Sequence, residues 1–130
     1  MAMGSSAAHP VRVLVADDHR LFADALTTLL ADERCIECVG IAADGAEAIE
    51  RTAELQPDVV LMDISMPVLD GFEATRRLRR AHPDVSVVML TGSSAAQDVA
   101  KARKAGAKGY LTKDAIAASL VDSILEAARR

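Results

Sequence analysis

Short aliphatic runs alternate with longer segments of helical periodicity along the chain, and this alternation constrains the fold more than any other feature. The aliphatic runs predict five strands, at residues 11–16, 36–42, 59–62, 85–90 and 109–111. Regular alternation of this kind implies right-handed crossovers and a parallel sheet covered by helices on both faces. We therefore predict an α/β fold, a doubly wound (βα)5 three-layer sandwich whose five-stranded parallel sheet has the order 2-1-3-4-5.

The segments between the strands predict five helices. The first has one apolar face, formed by Leu21, Phe22, Ala25, Leu26, Leu29 and Leu30. The second has a smaller face, formed by Ala46, Ile49 and Ala53. Three more helices are predicted at residues 71–81, 95–105 and 116–128, with Gly106 ending the fourth helix. Two Asp-Gly-x-Glu quartets, at residues 44–47 and 70–73, are predicted to cap the second and third helices.

The composition fits one globular domain with an aliphatic core. The chain has 130 residues, 51% of them apolar, and its only aromatic residues are Phe22, Phe72 and Tyr110. We expect residues 1–10 to form a flexible tail and residues 11–130 to form the domain. A formal net charge of -4 argues against a surface that binds nucleic acid or anionic membranes. No apolar run is long enough to cross a bilayer, so we expect a cytoplasmic protein with no membrane partner.

Cys35 and Cys38 form a C-x-x-C spacing that could indicate a redox pair or half of a zinc site. The chain has no second cysteine pair and no histidine near these two residues. Cys35 directly precedes the predicted strand at residues 36–42 and Cys38 lies within it, whereas the thiols of redox pairs are activated at the start of a helix. We therefore expect both cysteines to be structural.

Polar side chains gather where the predicted strands end. They are Asp17 and Asp18 after the first strand, Asp63 after the third, Thr91 after the fourth and Lys113 just beyond the fifth. In a doubly wound sheet of this order, ligands bind at the carboxyl ends of the strands, in the crevice between the first and third strands. The second strand is then an outer strand, which explains why no polar residue is needed at its end.

Three carboxylates in one crevice repel one another, at roughly 4 kcal/mol for a pair ~4 Å apart in an effective dielectric near 20. A divalent cation such as Mg²⁺ would offset this repulsion and leave coordination positions open for a phosphoryl group. Asp63 lies at the centre of the crevice and is the candidate nucleophile, since an aspartate can form an acyl phosphate. The Lys113 ammonium and the Thr91 hydroxyl are candidates for stabilising the phosphoryl oxygens.

Each of these residues also has an ordinary structural interpretation. Asp18 could cap the first helix, Thr91 could be a turn hydroxyl, Lys113 a solvated surface charge and Tyr110 a half-buried strand aromatic. If these residues had only unrelated structural roles, they would occur at both ends of the strands. Their occurrence at one end favours the functional interpretation.

The segments that carry these residues resemble the receiver domains of bacterial two-component response regulators, the CheY-like family, and the resemblance extends over residues 11–130. Residues 15–19 (VADDH) resemble the acidic pair of the family, and residues 61–67 (LMDISMP) resemble its phosphoacceptor loop. Residues 90–92 (LTG) resemble the segment of its switch threonine, and residues 109–113 (GYLTK) the segment of its aromatic residue and lysine.

The resemblance implies a metal site and a phosphoryl donor. Asp18, Asp63 and the backbone carbonyl of Ser65 would hold Mg²⁺, with Mn²⁺ as a substitute, while Asp17 would act largely through water. A sensor histidine kinase, or a small donor such as acetyl phosphate, would transfer its phosphoryl group to Asp63. The chain would thus be a signalling switch that catalyses only its own phosphorylation and dephosphorylation.

The resemblance also implies how the switch operates. Thr91 would move toward the phosphate, Tyr110 would turn inward, and the face built from helix four, strand five and helix five would change. Ser65 and Ser93 occupy positions that, in the family, tune the lifetime of the acyl phosphate. Asp114 stands where many receivers have a proline, a departure that concerns the geometry of that loop and not the role of Lys113.

Within the family, Asp-His after the first strand and Leu-Thr-Lys-Asp after the fifth resemble the NarL/LuxR-type transcriptional regulators. Those proteins carry a C-terminal helix-turn-helix domain, so any binding to DNA would require a domain that this chain does not contain. The subgroup also implies a homodimer that forms on phosphorylation.

Four alternatives remain open at this point. A haloacid-dehalogenase-type phosphatase would use similar chemistry, but its Asp-x-Asp-x-Thr motif after the first strand is missing. A flavodoxin-like FMN binder would need Gly, Ser and Thr donors where this chain has an acidic loop. The others are a stand-alone receiver and a pseudo-receiver that serves as a protein-interaction module, although the loss of a key Asp, Thr or Lys that marks a pseudo-receiver is not seen here.

Overall fold

The computed structural model describes residues 9–92 and 96–129. The strands are β1 (Val11–Ala16), β2 (Ile36–Ala42), β3 (Val59–Asp63), β4 (Ser86–Thr91) and β5 (Gly109–Thr112). The helices are α1 (Arg20–Ala31), α2 (Gly45–Leu55), α3 (Gly71–Ala81), α4 (Ala96–Ala105) and α5 (Ile116–Ala128). A single 3-10 turn, Lys113–Ala115, connects β5 to α5.

The five strands form one parallel sheet of order β2-β1-β3-β4-β5, which confirms the predicted fold class and strand order. Strands β3 and β4 are buried along their whole length. This burial explains why their residues, apart from the polar ones at the strand ends, are consecutive apolar residues rather than an alternating pattern.

The core consists of two layers, one on each side of the sheet. Successive strand residues point to opposite faces, so Val13 and Val15 of β1 contact one layer while Leu14 and Ala16 contact the other. Helices α1 and α5 contribute Leu26, Leu30, Leu120 and Ile124 to the first layer. Helices α2, α3 and α4 contribute Ala48, Ala74, Leu78 and Ala102 to the second layer. Each fully buried leucine contributes about 1.5–3 kcal/mol relative to an exposed one.

The predicted apolar faces of the first two helices are partly wrong. On α1, the Leu21 side chain is 86% exposed and Ala25 and Leu29 are also exposed. The buried residues of α1 are Ala23, Leu26 and Leu30. A wide apolar arc does not specify which of its edges faces the sheet, because packing sets the rotation of the helix about its axis.

The error on α2 has the same origin. Its buried residues are Gly45, Ala48 and Thr52, whereas Ala46 and Ala53 are exposed. The Thr52 hydroxyl donates to the carbonyl of Ala48 at 2.7 Å, so this polar side chain is buried without an unsatisfied group.

The helix ends agree with the predicted signals. Asp44 and Asp70 accept hydrogen bonds from the backbone N–H of Glu47 (2.8 Å) and Glu73 (2.9 Å), which places both aspartates at N-caps. Helix α4 ends at Ala105 and is followed by Gly106, whose φ of 106° is in the left-handed region, and the N–H of Ala107 donates to the carbonyl of Ala102 at 3.0 Å.

Strand β2 forms one edge of the sheet and contains a bulge. Val13 pairs with Cys38 and Leu14 pairs with Gly40, so Val39 is an extra residue in the β1–β2 ladder.

Cys35 and Cys38 are both free thiols, and burial raises the pKa of Cys38, which makes its thiol a poor nucleophile. Within residues 9–92 and 96–129, no cluster of candidate metal ligands contains a cysteine. Over the same ranges, no helix is long and apolar enough to cross a membrane.

Candidate functional site

The candidate site lies at the carboxyl edge of the sheet, where four strands deliver polar side chains to one crevice. Asp17 directly follows β1, Asp63 is the last residue of β3, Thr91 is the last residue of β4 and Lys113 directly follows β5. Because β1, β3, β4 and β5 are adjacent in the sheet in that order, residues up to 96 positions apart in the sequence meet at one edge.

Two carboxylates of this site are buried. Asp17 is 2% exposed and Asp63 is 3% exposed, whereas Asp18 and His19 are exposed. The Oδ1 atom of Asp17 accepts a hydrogen bond from the backbone N–H of His19 at 2.8 Å, and the backbone N–H of Ser65 donates to the Asp63 carboxylate. Among the described residues, neither Asp17 Oδ2 nor Asp63 Oδ2 accepts a hydrogen bond of acceptable geometry. Buried oxygens of this kind are costly unless another group offsets their charge.

Lys113 provides part of that offset. Its ammonium nitrogen lies 3.1 Å from Asp17 Oδ2 and 3.7 Å from Asp63 Oδ2. These are ion-pair distances, although the angle at Asp17 is not that of a hydrogen bond. The Lys113 side chain is only 22% exposed, so the attraction is screened less by solvent than in a surface pair.

The environment of Asp63 favours its neutral form. Burial is the largest cause and the neighbouring Asp17 carboxylate the second, and together they raise the pKa of Asp63 from 3.8 to about 6. The Lys113 ammonium and the Ser65 amide oppose this increase, and Asp18 adds a smaller repulsion. The positive charge of Lys113 thus does not return the pKa of Asp63 to its ordinary value, and the site attracts further positive charge.

The donor set fits a hard divalent cation. Ligand atoms of Asp17, Asp18, His19 and Asp63 all lie within 4.8 Å of one another. Asp17 and Asp63, whose buried Oδ2 atoms accept no hydrogen bond from the described residues, both belong to this cluster. Carboxylate oxygens at such spacing suit Mg²⁺ or Mn²⁺, whereas the mainly exposed His19 imidazole is not a ligand that Mg²⁺ prefers.

The remaining predicted residues are placed around this cluster. Thr91 is buried at the end of β4, and Tyr110 is half-buried in β5. Ser65 is exposed two positions after Asp63. Ser93, predicted to tune the phosphoryl lifetime, lies outside the described residues. The N-cap of α1 is His19 rather than Asp18, and no side chain caps that helix end, so the capping interpretation of Asp18 is not supported.

The sequence interpretation missed the contact between Phe22 and Lys113. Phe22 was assigned only to the apolar face of the first helix, yet the Lys113 ammonium lies 4.4 Å from the centre of its ring. A signal was present in the sequence, because the first turn of a helix that follows the acidic pair must lie beside the same crevice. The loop after β3 also contains an unpredicted feature, a positive φ of 70° at the β-branched residue Val68.

Comparison with known proteins agrees with this geometry. The response regulator receiver domain family matches residues 13–125. Response regulator GacA from Pseudomonas viridiflava is 46% identical over 114 residues, which cover 88% of this chain and 53% of that protein. Transcriptional regulatory protein DegU from Brevibacillus brevis is 39% identical over 114 residues, which cover 88% of this chain and 48% of DegU. The chain thus spans about half the length of these curated relatives.

A solved structure of a response regulator receiver domain has the same fold as this chain. The signal receiver domain of the response regulator NarL from Mycobacterium tuberculosis superposes with a TM-score of 0.88 and is 33% identical, and the match covers 92% of this chain and 97% of that one. The family match spans most of the chain, and the relatives include transcriptional regulators. The chain therefore belongs to the receiver domains of two-component response regulators, close to the NarL/LuxR-type transcriptional regulators.

Proposed function

We propose that the chain is a switch controlled by phosphorylation, in which a carboxylate oxygen of Asp63 accepts a phosphoryl group. One observation carries the proposal: Asp63 Oδ2 is buried at the carboxyl edge of the sheet, accepts no hydrogen bond from the described residues and lies within ion-pair distance of Lys113. Because a carboxylate can act as a nucleophile toward phosphorus, this arrangement suits formation of an acyl phosphate.

The donor in this proposal is the phosphohistidine of a sensor histidine kinase, with acetyl phosphate as a small substitute. As the Asp63 oxygen bonds to phosphorus, the phosphorus–nitrogen bond of the donor breaks and its electron pair stays on the imidazole. Attack of water on the acyl phosphate later returns Asp63 and releases inorganic phosphate. The chain would catalyse these two steps on itself and act on no other substrate.

The surrounding residues have separate roles in this proposal. Lys113 would pair with one equatorial phosphoryl oxygen, and the Thr91 hydroxyl would donate to another. Asp17, Asp18, Asp63 and the backbone carbonyl of Ser65 would hold Mg²⁺ or Mn²⁺. When bound, that ion offsets the negative charge of the carboxylates and of the phosphoryl oxygens.

Phosphorylation would then act through charge. A phosphoryl group adds about -1.5 to -2 units of charge and three acceptor oxygens, which favours any conformation that brings donors toward it. Thr91 is the last residue of β4 and Tyr110 lies within the neighbouring strand β5, so a shift of these side chains would reach the surface formed by α4, β5 and α5. Ser65 and Ser93 would tune the lifetime of the acyl phosphate.

The role of the whole protein is a further part of the proposal. Residues 11–130 would form the receiver domain, whereas residues 1–8 of the tail predicted at residues 1–10 lie outside the described residues. The relatives include transcriptional regulators about twice as long as the match, so the output would be transcription through a helix-turn-helix domain outside this chain. Phosphorylation would promote a homodimer.

The test is the intact mass after incubation with acetyl phosphate and Mg²⁺. We expect the wild-type chain to gain one phosphoryl group, and Asp63→Asn or an excess of chelator to abolish the gain. Asp122→Asn is the matched control, because Asp122 is an exposed carboxylate on α5. Circular dichroism checks that each variant is folded.

A folded wild-type chain that gains no mass from either acetyl phosphate or a phosphorylated histidine kinase would overturn the proposal. It would favour a protein-interaction module with the same fold. Mass gain that persists in Asp63→Asn would show that another residue is the acceptor.

A further inference from the structure

The ammonium of Lys113 is held from three elements that are distant in the sequence. Its nitrogen lies 3.1 Å from Asp17 Oδ2 after β1, 3.7 Å from Asp63 Oδ2 on β3 and 4.4 Å from the centre of the Phe22 ring on α1. Two of these contacts are carboxylates that the proposed reaction uses. The third is an aromatic ring to which the reaction assigns no role.

We propose that Phe22 is a positioning residue, whose ring holds the Lys113 ammonium beside Asp63 and thereby speeds phosphoryl transfer. This inference rests on the proposed function, because it concerns the lysine that would stabilise the phosphoryl oxygens. Phe22 itself touches no reacting atom in this proposal and acts only through Lys113.

The geometry suits a cation–π contact. A distance of 4.4 Å from the ammonium to the ring centre is within the range of about 6 Å in which the negative face of an aromatic ring attracts a cation. The contact is also shielded, since the lysine side chain is 22% exposed and Phe22 is half-buried against the core layer of α1 and α5. Such shielding strengthens the attraction relative to an exposed pair.

The ring supplies something that the carboxylates cannot. A lysine side chain has four rotatable bonds, and the ammonium lies closer to Asp17 than to Asp63. Coulomb attraction alone would allow the ammonium to settle on Asp17 or to turn toward solvent. The ring is anchored in the core and occupies one side of the ammonium, so the positions open to the nitrogen are those near both carboxylates.

An alternative is that Phe22 only fills space in the core. Phe22→Leu separates the two possibilities, because leucine keeps an apolar side chain of similar reach but has no ring face. Phe22→Tyr keeps the ring face and should restore the contact. Phe72→Leu is the matched control, because Phe72 is the other ring with an ammonium above it among the described residues, that of Lys101 at 5.3 Å, and it lies outside the site.

Two measurements test the proposal. The first is the rate constant for phosphorylation by acetyl phosphate at saturating Mg²⁺. We expect Phe22→Leu to lower it about threefold to thirtyfold, equivalent to about 0.7–2 kcal/mol at 1.36 kcal/mol per factor of ten. Phe22→Tyr and Phe72→Leu should stay within a factor of two of the wild-type rate. Urea unfolding of each variant shows whether lost stability could explain a slower rate.

The second measurement is the NMR shift of the Lys113 side-chain methylene protons. A ring face near the ammonium should shift these protons upfield in the wild type and in Phe22→Tyr, and the shift should disappear in Phe22→Leu. The positioning role is overturned if the upfield shift is absent in the wild type. It is also overturned if Phe22→Leu removes the shift and leaves the phosphorylation rate unchanged.

The two measurements separate failure of this inference from failure of the proposed function. A wild-type chain that shows the upfield shift but takes no phosphoryl group would overturn the proposed function and, with it, the effect on rate. A chain that is phosphorylated normally in all variants would retain the proposed function and refute only the role of Phe22.

Discussion

The α-carbon of Gly71 packs against the backbone carbonyl of Asp63, so closely that a Cβ atom on Gly71 would overlap the carbonyl oxygen. The backbone N–H of Gly71 also donates to the carbonyl of Ile64 at 2.9 Å. The start of α3 is thus fixed directly against the end of β3. The position of the Asp63 carboxylate depends on this contact, because the contacted carbonyl and the carboxylate belong to the same residue.

Gly71→Ala should therefore destabilise the protein. The added methyl group meets backbone atoms, which cannot move aside as a flexible side chain can, so we expect a loss of about 2–3 kcal/mol in the free energy of unfolding. Urea denaturation measures this change. Gly92→Ala is the control, since a Cβ atom there has no neighbour within 4 Å among the described residues. An equal effect of the two substitutions would contradict the steric explanation.

The pH dependence of stability should reflect Asp63. Its pKa in the folded protein is about 6, above the ordinary value of 3.8, so the folded state binds this proton more tightly than the unfolded state. The stabilisation from the protonated carboxyl is fully present below about pH 3.8 and is lost as the pH rises through about 6. At neutral pH, the charged form costs up to about 3 kcal/mol.

Asp63→Asn should remove this cost, because asparagine carries no charge. In buffer with a chelator, we expect the variant to be more stable than the wild type by about 1–3 kcal/mol at pH 7, with the difference shrinking toward pH 4. Urea denaturation over this pH range measures it, and Asp122→Asn should show no such gain. A wild-type chain that is the more stable of the two at pH 7 would contradict the assigned direction of the shift.

Mg²⁺ should stabilise the folded protein, since the carboxylate cluster exists only in the folded state. At a concentration ten times its Kd, a ligand of this kind adds about 1.4 kcal/mol to the free energy of unfolding. We expect an increase in Tm on adding Mg²⁺ or Mn²⁺, and its loss on adding a chelator. Asp18→Asn should abolish the increase, because Asp18 is an exposed member of the cluster whose removal leaves the core intact. Persistence of the full increase in Asp18→Asn would place the metal elsewhere.

Val68→Asn should stabilise the protein. Val68 has a φ of 70°, a conformation that is unfavourable for a β-branched residue, and its side chain is 81% exposed. Asparagine tolerates this region better, so we expect a gain of about 0.5–1 kcal/mol in urea denaturation. Val68→Thr keeps the branch at Cβ and should bring no gain. Equal stability of all three proteins would show that the backbone at this position is not strained.

Much of the fold could be predicted because it depends on local patterns. Strands β1 and β2 have the predicted bounds, and α3 and α5 also do. The strand order follows from the alternation of elements together with the handedness of crossovers. The buried faces of α1 and α2 were harder to predict, because the rotation of a helix against a sheet depends on contacts that the helix sequence does not contain. Leu21 illustrates this limit, as its type favours burial and its side chain is 86% exposed.

The composition of the site could be predicted because its residues follow the ends of strands. The structure brings Asp17, Asp63 and Lys113 together, although their assigned roles remain predictions. The distances between their side chains, the raised pKa of Asp63 and the ring beneath Lys113 could not be predicted. Those properties depend on how far each side chain is buried and on which rotamer it adopts, and neither is encoded in the spacing of a motif.

The bulge at Val39 affects how separate molecules meet. An outer strand with regular hydrogen-bonding groups is a template on which the strand of another molecule can extend the sheet, a first step toward aggregation. The extra residue in β2 breaks the spacing of those groups and twists the strand locally. A second chain that approaches this border cannot align a continuous ladder of hydrogen bonds along it, so the irregularity helps the sheet to end at five strands.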